Sequence, residues 1–284
     1  MNTMDASLVT STGILPEKII DFHVHLFPDD LFEAIWKFFK KNYGLEVVHK
    51  LYSQECIEYL RNRGVDTIVY SNYAHKKGVA KRLNDWNVDL LDRTESVYCF
   101  AAFHPEDEKS LESAERILAH PKILGFKLHF LVQSFSPDDK RLFPLYEMVL
   151  KHRKRFLLHI GTGPLGNAYT GIGRFRNVLA RYPDLPANIA HMGAFEFRGF
   201  FDLLDNHPNL FVDTSYCFLP DNFRMYTLGN GLLEKYQSRI LYGSDFPNLF
   251  HHRREEIMAL MALGLPQEFY DRIFLENAKT LLCL

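Results

Sequence analysis

The sequence alternates short, apolar, β-rich runs with longer amphipathic stretches, and this alternation limits the fold more than any other feature. Parallel strands covered by helices produce such a pattern, because each strand needs a long crossover before the next parallel strand begins. The runs lie at residues 19–27, 65–73, 97–103, 123–130, 155–160, 187–192, 210–214 and 239–243. These eight units predict a closed (β/α)8 TIM barrel of the α/β class, since closure removes both sheet edges, with a doubly wound open sheet as the alternative.

The length of the chain and the lack of a linker-like segment in its sequence favour a single domain over residues 1–284. A (β/α)8 barrel commonly takes ~250 residues, and no proline- or serine-rich linker divides the sequence. Residues 1–18 are expected to lead into the first strand, and residues 270–284 to form a closing helix. One predicted helix places Leu31, Ile35 and Phe38 on one face. Gly64 and Gly125 are expected to turn the chain before strand residues.

Composition and charge exclude several functions. The net charge is −2 with no long run of one sign, which does not fit a nucleic-acid binder. The longest fully apolar stretch, residues 97–103, is far shorter than the ~20 residues of a membrane-spanning helix. The first basic residue is Lys18, so no secretory signal is predicted and a cytoplasmic location is expected. The four scattered cysteines indicate reduced thiols, and the expected partner is a small-molecule substrate.

Polar residues that can bind a metal follow the ends of several predicted strands. His23 and His25 project from the same face of the first strand because strand side chains alternate. His159 and His191 end the fifth and sixth strands, and Asp245 follows the eighth, where a helix N-cap is its alternative role. The ends of barrel strands meet at one face, so the sequence predicts a shared divalent ion there. Imidazole and carboxylate ligands suit zinc and, less selectively, manganese, iron or cobalt.

This ordered set resembles the amidohydrolase superfamily, whose (β/α)8 enzymes carry H-x-H on strand 1, histidines on strands 5 and 6, and an aspartate on strand 8. The segments Gly-Phe-Lys-Leu-His at 125–129 and Tyr-Gly-Ser-Asp-Phe-Pro at 242–247 look like the amidohydrolase-related branch that includes aminocarboxymuconate-semialdehyde decarboxylase-like enzymes. The resemblance implies His23, His25, His159 and Asp245 as metal ligands. It also implies His191 as a catalytic residue that faces the substrate or supports a ligand.

The fourth strand leaves the number of metal ions open. Some members of the superfamily carry a carboxylated lysine there that bridges two ions, and Lys127 has the matching place with His129 on the same face. A lysine paired with a carboxylate is favoured, because a buried ammonium needs a partner. One Zn²⁺ is therefore predicted, with a second ion as the alternative. The segment also differs from the G-E-x-G-L-D of TatD-like deoxyribonucleases.

Further candidates for the pocket follow other strands. His104 ends strand 3, Tyr216 follows strand 7, and Arg174 lies after the glycine-rich loop at 161–173. An arginine there could bind a substrate carboxylate through two hydrogen bonds. The alternative for Arg174 is a solvated first turn of a helix.

The resemblance favours a metal-dependent hydrolase in which activated water attacks an amide, a lactone or another ester. Asp245 would carry the proton and His191 would orient the scissile carbonyl. The first alternative is a metal-dependent, non-oxidative decarboxylase of an unsaturated or aromatic carboxylic acid. A catalytically inactive metal-binding barrel is the second, since a fold does not fix a function. The resemblance also suggests a homodimer.

Overall fold

Eight β-strands form one sheet in the order of the sequence, β1 to β8. The computed structural model describes residues 14–163, 166–219 and 226–284. The strands are β1 Ile19–His25, β2 Val65–Ser71, β3 Val97–Ala102, β4 Ile123–His129, β5 Arg155–His159, β6 Ala187–Ile189, β7 Leu210–Asp213 and β8 Ile240–Leu241. Helices alternate with these strands, so the predicted (β/α)8 barrel is confirmed. Each strand ends earlier than the apolar run that predicted it, because apolar residues continue into the loops.

The α-helices are α1 Asp29–Tyr43, α2 Ser53–Arg61, α3 Ala80–Asp92, α4 Ser110–Leu118, α5 Phe130–Gln133, α6 Phe143–Lys151, α7 Ile172–Arg181, α8 Phe197–Leu204, α9 Asn230–Lys235, α10 Arg253–Met261, α11 Gln267–Asp271 and α12 Asn277–Leu282. Helix α1 has acidic residues in its first turn and Lys40 and Lys41 in its last, which complement the helix dipole. It ends at Gly44, whose φ of 66° suits a residue without a Cβ.

The described residues divide into two compact units. The terminal unit contains the described residues of Met1–Tyr70 and Thr214–Leu284, and the central unit is Ser71–Asp213. In the terminal unit, the amide of Phe22 donates to the carbonyl of Tyr242 at 2.9 Å, and Val24 forms a parallel bridge with Phe246. The first strand is thereby paired with the chain around and after the eighth.

In the central unit, the strands β3 to β7 pair in parallel, with a register shift between Cys99 and Phe100 in the pairing of β3 with β4. Lys127 lies opposite Leu157 and His129 opposite His159 across β4 and β5. The central residues of these strands are buried, as expected for a parallel sheet covered by helices. The register therefore places the ends of β4 and β5, each with its histidine, side by side.

Three local expectations from the sequence need correction. Gly125 does not turn the chain before a strand but lies within β4, where its φ is 142° and a Cβ would be 1.8 Å from the carbonyl oxygen of Arg155. Phe38 is 53% exposed, and Phe32 is the buried residue of α1. The closing helix is interrupted: a π-helical turn at Arg272–Glu276 separates α11 from α12. Residues 1–13 of the predicted lead-in at 1–18 lie outside the described residues.

Cys56, Cys99 and Cys217 are buried free thiols, and Cys283 is exposed. None of the helices in the described ranges is both long and apolar enough to span a lipid bilayer.

Candidate functional site

Three metal-binding side chains converge in the terminal unit. Nε2 of His23 lies 3.2 Å from Oδ1 of Asp245, and Nε2 of His25 lies 3.1 Å from the same oxygen. One ligand atom from each residue lies within 4.8 Å of the other two. The His23 side chain is fully buried and that of Asp245 is 14% exposed. Two neutral nitrogens and an anionic oxygen with this spacing fit a divalent ion.

Neighbouring side chains orient the two histidines. The hydroxyl of Ser215 lies 3.2 Å from Nδ1 of His23, which directs Nε2 of that ring towards Asp245. The ring of His25 stacks on Phe27 with centroids 6.1 Å apart and an interplanar angle of 16°. A hydrogen bond to the second ring nitrogen commonly orients a ligating histidine. The terminal unit thus provides both the donor atoms and their support.

The central unit contains its own cluster of histidines. Nε2 of His191 lies 3.1 Å from Nδ1 of His159. On its other side, His159 stacks on His129 with centroids 3.9 Å apart and an interplanar angle of 11°. The ring of Tyr73 lies 4.9 Å from that of His129. The ring of His159 therefore lies between two other imidazoles, and its Nδ1 faces Nε2 of His191.

A strained turn presents His191. Its φ is 55°, and Met192 and Gly193 also have positive φ values, of 51° and 74°. Left-handed backbone costs a residue with a Cβ on the order of 1 kcal/mol or more, so the surrounding structure must hold it. Asp213 does so by accepting a hydrogen bond from the His191 amide at 2.9 Å. Asp213 at the end of β7 therefore supports the turn that follows β6.

Lys127 occupies β4 as predicted and is completely buried. Its neighbour on the same strand face, His129, belongs to the stacked cluster. Whether Lys127 is carboxylated and whether a second ion binds here stay predictions.

The other predicted pocket residues have varied surroundings. His104 is 6% exposed, and burial is the main cause that lowers the pKa of its ring. The hydroxyl of Tyr216 donates to the carbonyl of Asn248 at 2.7 Å. Arg174 donates to Asp138 at 3.2 Å and to the carbonyl of Ala168 at 2.9 Å. These contacts use Nε and Nη1, and the substrate contact of Arg174 stays a prediction.

Two residues that hold the site in place were not predicted from the sequence. Ser215 orients His23, as described above. Gln133 is 5% exposed and donates to the carbonyls of Ala74 and Phe103, at 3.0 and 2.8 Å, while accepting from the His129 amide at 2.8 Å. Neither residue belongs to a motif, so no sequence pattern could have identified it.

Comparison with known proteins identifies the family. The model of the family described as Amidohydrolase matches residues 20–284. The chain therefore belongs to this family, and it has the fold of the enzymes of the amidohydrolase superfamily. A search of curated proteins finds no significant match.

Several solved structures share the fold at low sequence identity. An uncharacterized TIM-barrel protein from Bordetella bronchiseptica has a TM-score of 0.70 and 18% identity, covering 94% of this chain and 98% of that one. A 5-carboxyvanillate decarboxylase from Novosphingobium aromaticivorans, complexed with manganese and 4-hydroxy-3-methoxy-5-nitrobenzoic acid, has a TM-score of 0.66 and 14% identity, covering 94% and 96%. A 2,6-dihydroxybenzoate decarboxylase complexed with 2,6-dihydroxybenzoate has a TM-score of 0.67 and 17% identity, covering 94% and 99%.

Proposed function

We propose that this protein is a metal-dependent, non-oxidative decarboxylase of an aromatic carboxylic acid. The sequence alone favoured a hydrolase and kept decarboxylation as the alternative, because the same ligand set serves both reactions. The comparisons support the alternative better: two similar structures are decarboxylases of hydroxylated aromatic acids. At 14% and 17% identity, that similarity establishes the fold alone, so the activity is our proposal.

The observation that carries the metal centre in this proposal is the convergence of His23, His25 and Asp245 within 4.8 Å of one another. These three residues would hold a divalent ion, which when bound supplies a Lewis acid able to polarise a substrate oxygen. Manganese is present in one of the similar structures, and zinc is the ion predicted from the sequence. The roles of His159 as a ligand and of His191 as a catalytic residue stay predictions.

The chain's own contribution to the reaction is a proton. We assign its delivery to Asp245, because a carboxylate can face an ion through one oxygen and exchange a proton through the other. In its protonated form, Asp245 would donate to the ring carbon that carries the substrate carboxylate. The bond from that carbon to the carboxylate then breaks, its electron pair restores the aromatic ring, and CO₂ leaves. Solvent returns the proton to Asp245, so no oxidant or reductant is required.

Aromatic packing supports the candidate metal centre from behind. Phe27 stacks on His25 and itself contacts Phe32 edge to face, at 5.7 Å between centroids. These rings lie in the terminal unit and are buried, so they hold His25 in place. The aromatic class of the substrate is proposed from the similar structures.

The test is a turnover assay on protein loaded with Mn²⁺ or Zn²⁺. A panel of hydroxylated benzoates should release CO₂, whereas lactones, esters and amides should not react. Asp245→Asn should lower kcat by at least about 100-fold, since it removes the proton donor. Turnover of esters or lactones without CO₂ release would instead support the hydrolase, the second candidate, which the family description favours.

Metal content provides the independent measurement. Protein purified without chelator should contain a stoichiometric divalent ion by elemental analysis, and His23→Ala with His25→Ala should lose it. His207→Ala is the matched control, because His207 is a half-buried histidine whose Nδ1 lies 3.0 Å from the carbonyl of Pro183 and which is not one of the three converging residues. A metal-loaded protein that is inert on both panels would favour the inactive metal-binding barrel. The homodimer and the cytoplasmic location stay predictions from the sequence.

A further inference from the structure

The segment that carries Asp245 is hydrogen-bonded to β1 on both sides of that residue. The amide of Asp245 donates to the carbonyl of His23 at 2.8 Å, and the amide of His25 donates to the carbonyl of Phe246 at 2.7 Å. The three candidate ligands therefore belong to one short parallel ladder. Any shift of this segment along β1 would move the carboxylate away from both imidazoles.

Asp245 adopts a backbone conformation that needs support. Its φ is 60°, in the left-handed region that a residue with a Cβ enters only at a cost. This conformation turns the side chain towards His23 and His25, where the distances are 3.2 and 3.1 Å. Contacts on the residues beside Asp245 must therefore maintain it.

Asp21 makes these contacts from two positions before His23. Its Oδ2 accepts a hydrogen bond from the hydroxyl of Ser244 at 2.6 Å, and its Oδ1 accepts from the Ser244 amide at 3.0 Å. The hydroxyl of Ser244 in turn accepts from the amide of Phe246 at 3.2 Å. One buried carboxylate thus holds the residue before Asp245 directly and the residue after it through a single hydroxyl.

The negative charge of Asp21 has a buried counterpart. Arg253, in the first turn of α10, is 3% exposed, and its Nε lies 3.7 Å from Oδ2 of Asp21. The guanidinium also lies over the ring of Tyr242, 5.5 Å from the centroid. Burial raises the pKa of Asp21 to about 6, and the positive charge of Arg253 opposes that rise. At 3.7 Å this contact is an ion pair and not a hydrogen bond, so it compensates the buried charge of Asp21, whereas the hydrogen bonds with Ser244 orient the carboxylate.

We propose that Asp21 and Ser244 are positioning residues for the metal centre, which hold Asp245 in its left-handed conformation without touching the ion themselves. This inference rests on the proposed metal centre at His23, His25 and Asp245. It adds a role for the first residue of the segment Asp-Phe-His-Val-His and for the serine that precedes Asp245. Removing either contact should loosen the carboxylate. Ser244→Ala should do so without changing the 3.4 Å contact between the His23 amide and Oδ1 of Asp21, which Asp21→Asn also perturbs.

The experiment measures Mn²⁺ binding to the metal-free full chain by isothermal titration calorimetry. Ser244→Ala and Asp21→Asn should each weaken Mn²⁺ binding by about 10–100-fold, the usual effect of losing a residue that orients a metal ligand. The EPR spectrum of the bound Mn²⁺ should also change, because a displaced carboxylate alters the symmetry of the ion's surroundings. Asp21→Asn retains the size of the side chain and serves as the second variant should Ser244→Ala not fold.

The matched control is Ser53→Ala. Ser53 lies in the same unit, is 5% exposed and donates its hydroxyl to the carbonyl of Phe27 at 2.8 Å. This variant should lower the melting temperature while its Mn²⁺ affinity and EPR spectrum stay those of the wild type. Folded Ser244→Ala and Asp21→Asn proteins with wild-type Mn²⁺ affinity and spectrum would overturn the positioning role. A wild-type protein that binds no divalent ion would overturn the metal centre itself, and the positioning role with it.

Discussion

The stability of this protein at mildly acidic pH should depend on His49. Its ring is 8% exposed and packs between Tyr59 and Phe246, with centroids 5.1 and 5.0 Å away. Its Nε2 accepts a hydrogen bond from the backbone amide of Arg253 at 3.4 Å, and only an unprotonated Nε2 can accept one. The pKa of His49 is lowered from 6.5 to about 4, mainly by burial, and the nearby guanidinium groups of Arg63 and Arg253 contribute to the same shift.

The direction of this pH dependence follows from the protons that the folded and the unfolded chain bind at His49. Between pH 6.5 and about 4, the unfolded chain binds a proton at this histidine and the folded chain does not. The free energy of unfolding therefore falls as the pH falls through this window. At about 1.4 kcal/mol per pH unit, the contribution that is complete above pH 6.5 and lost near pH 4 amounts to about 3 kcal/mol.

The assay is urea unfolding of wild type and His49→Gln from pH 4 to 8, with chelator present so that no ion contributes. The difference between their free energies of unfolding should be largest above pH 6.5 and should shrink by about 3 kcal/mol towards pH 4. Thr94→Val is the control: it removes a buried hydrogen bond, 2.6 Å to the carbonyl of Leu90, without a titrating group. Its difference from wild type should not vary with pH. If the His49→Gln difference is equally constant, the assignment of a lowered pKa to His49 is refuted.

Other predictions concern single contacts. Gly125→Ala should lower the free energy of unfolding in urea by more than about 3 kcal/mol, because the Cβ of the alanine would be 1.8 Å from the carbonyl oxygen of Arg155. A variant as stable as the wild type would contradict the β4–β5 register. Gln133→Leu should cost about 3 kcal/mol in the same assay, since it leaves three buried backbone groups unpaired, and little change would mean that they find other partners. Arg174→Ala should change stability by less than about 1 kcal/mol, because its side chain is 44% exposed; a tenfold rise in KM would support its predicted substrate contact, and an unchanged KM would contradict it.

Much of the fold could be predicted because it depends on local regularities. Apolar runs separated by amphipathic crossovers indicate parallel strands at any position in the chain, and eight of them indicate a barrel. The spacing of His23 and His25 places both side chains on one face of β1 by strand geometry alone. The strand ends were less predictable, since β6 and β8 have only three and two residues inside longer apolar runs.

The sequence by itself determined the residue types at the strand ends, and through them the kind of ion and chemistry to expect. Tertiary structure decided which of these side chains meet. It brought Asp245 to two histidines more than 200 positions earlier in the chain, and it bound His191 to His159. It also gave supporting roles to Ser215, Gln133 and Asp21, whose partners no sequence pattern specifies. The reason is physical: a strand's periodicity fixes the direction of its side chains, whereas the distances between side chains from separate strands depend on register and backbone strain, which form only when the sheet assembles.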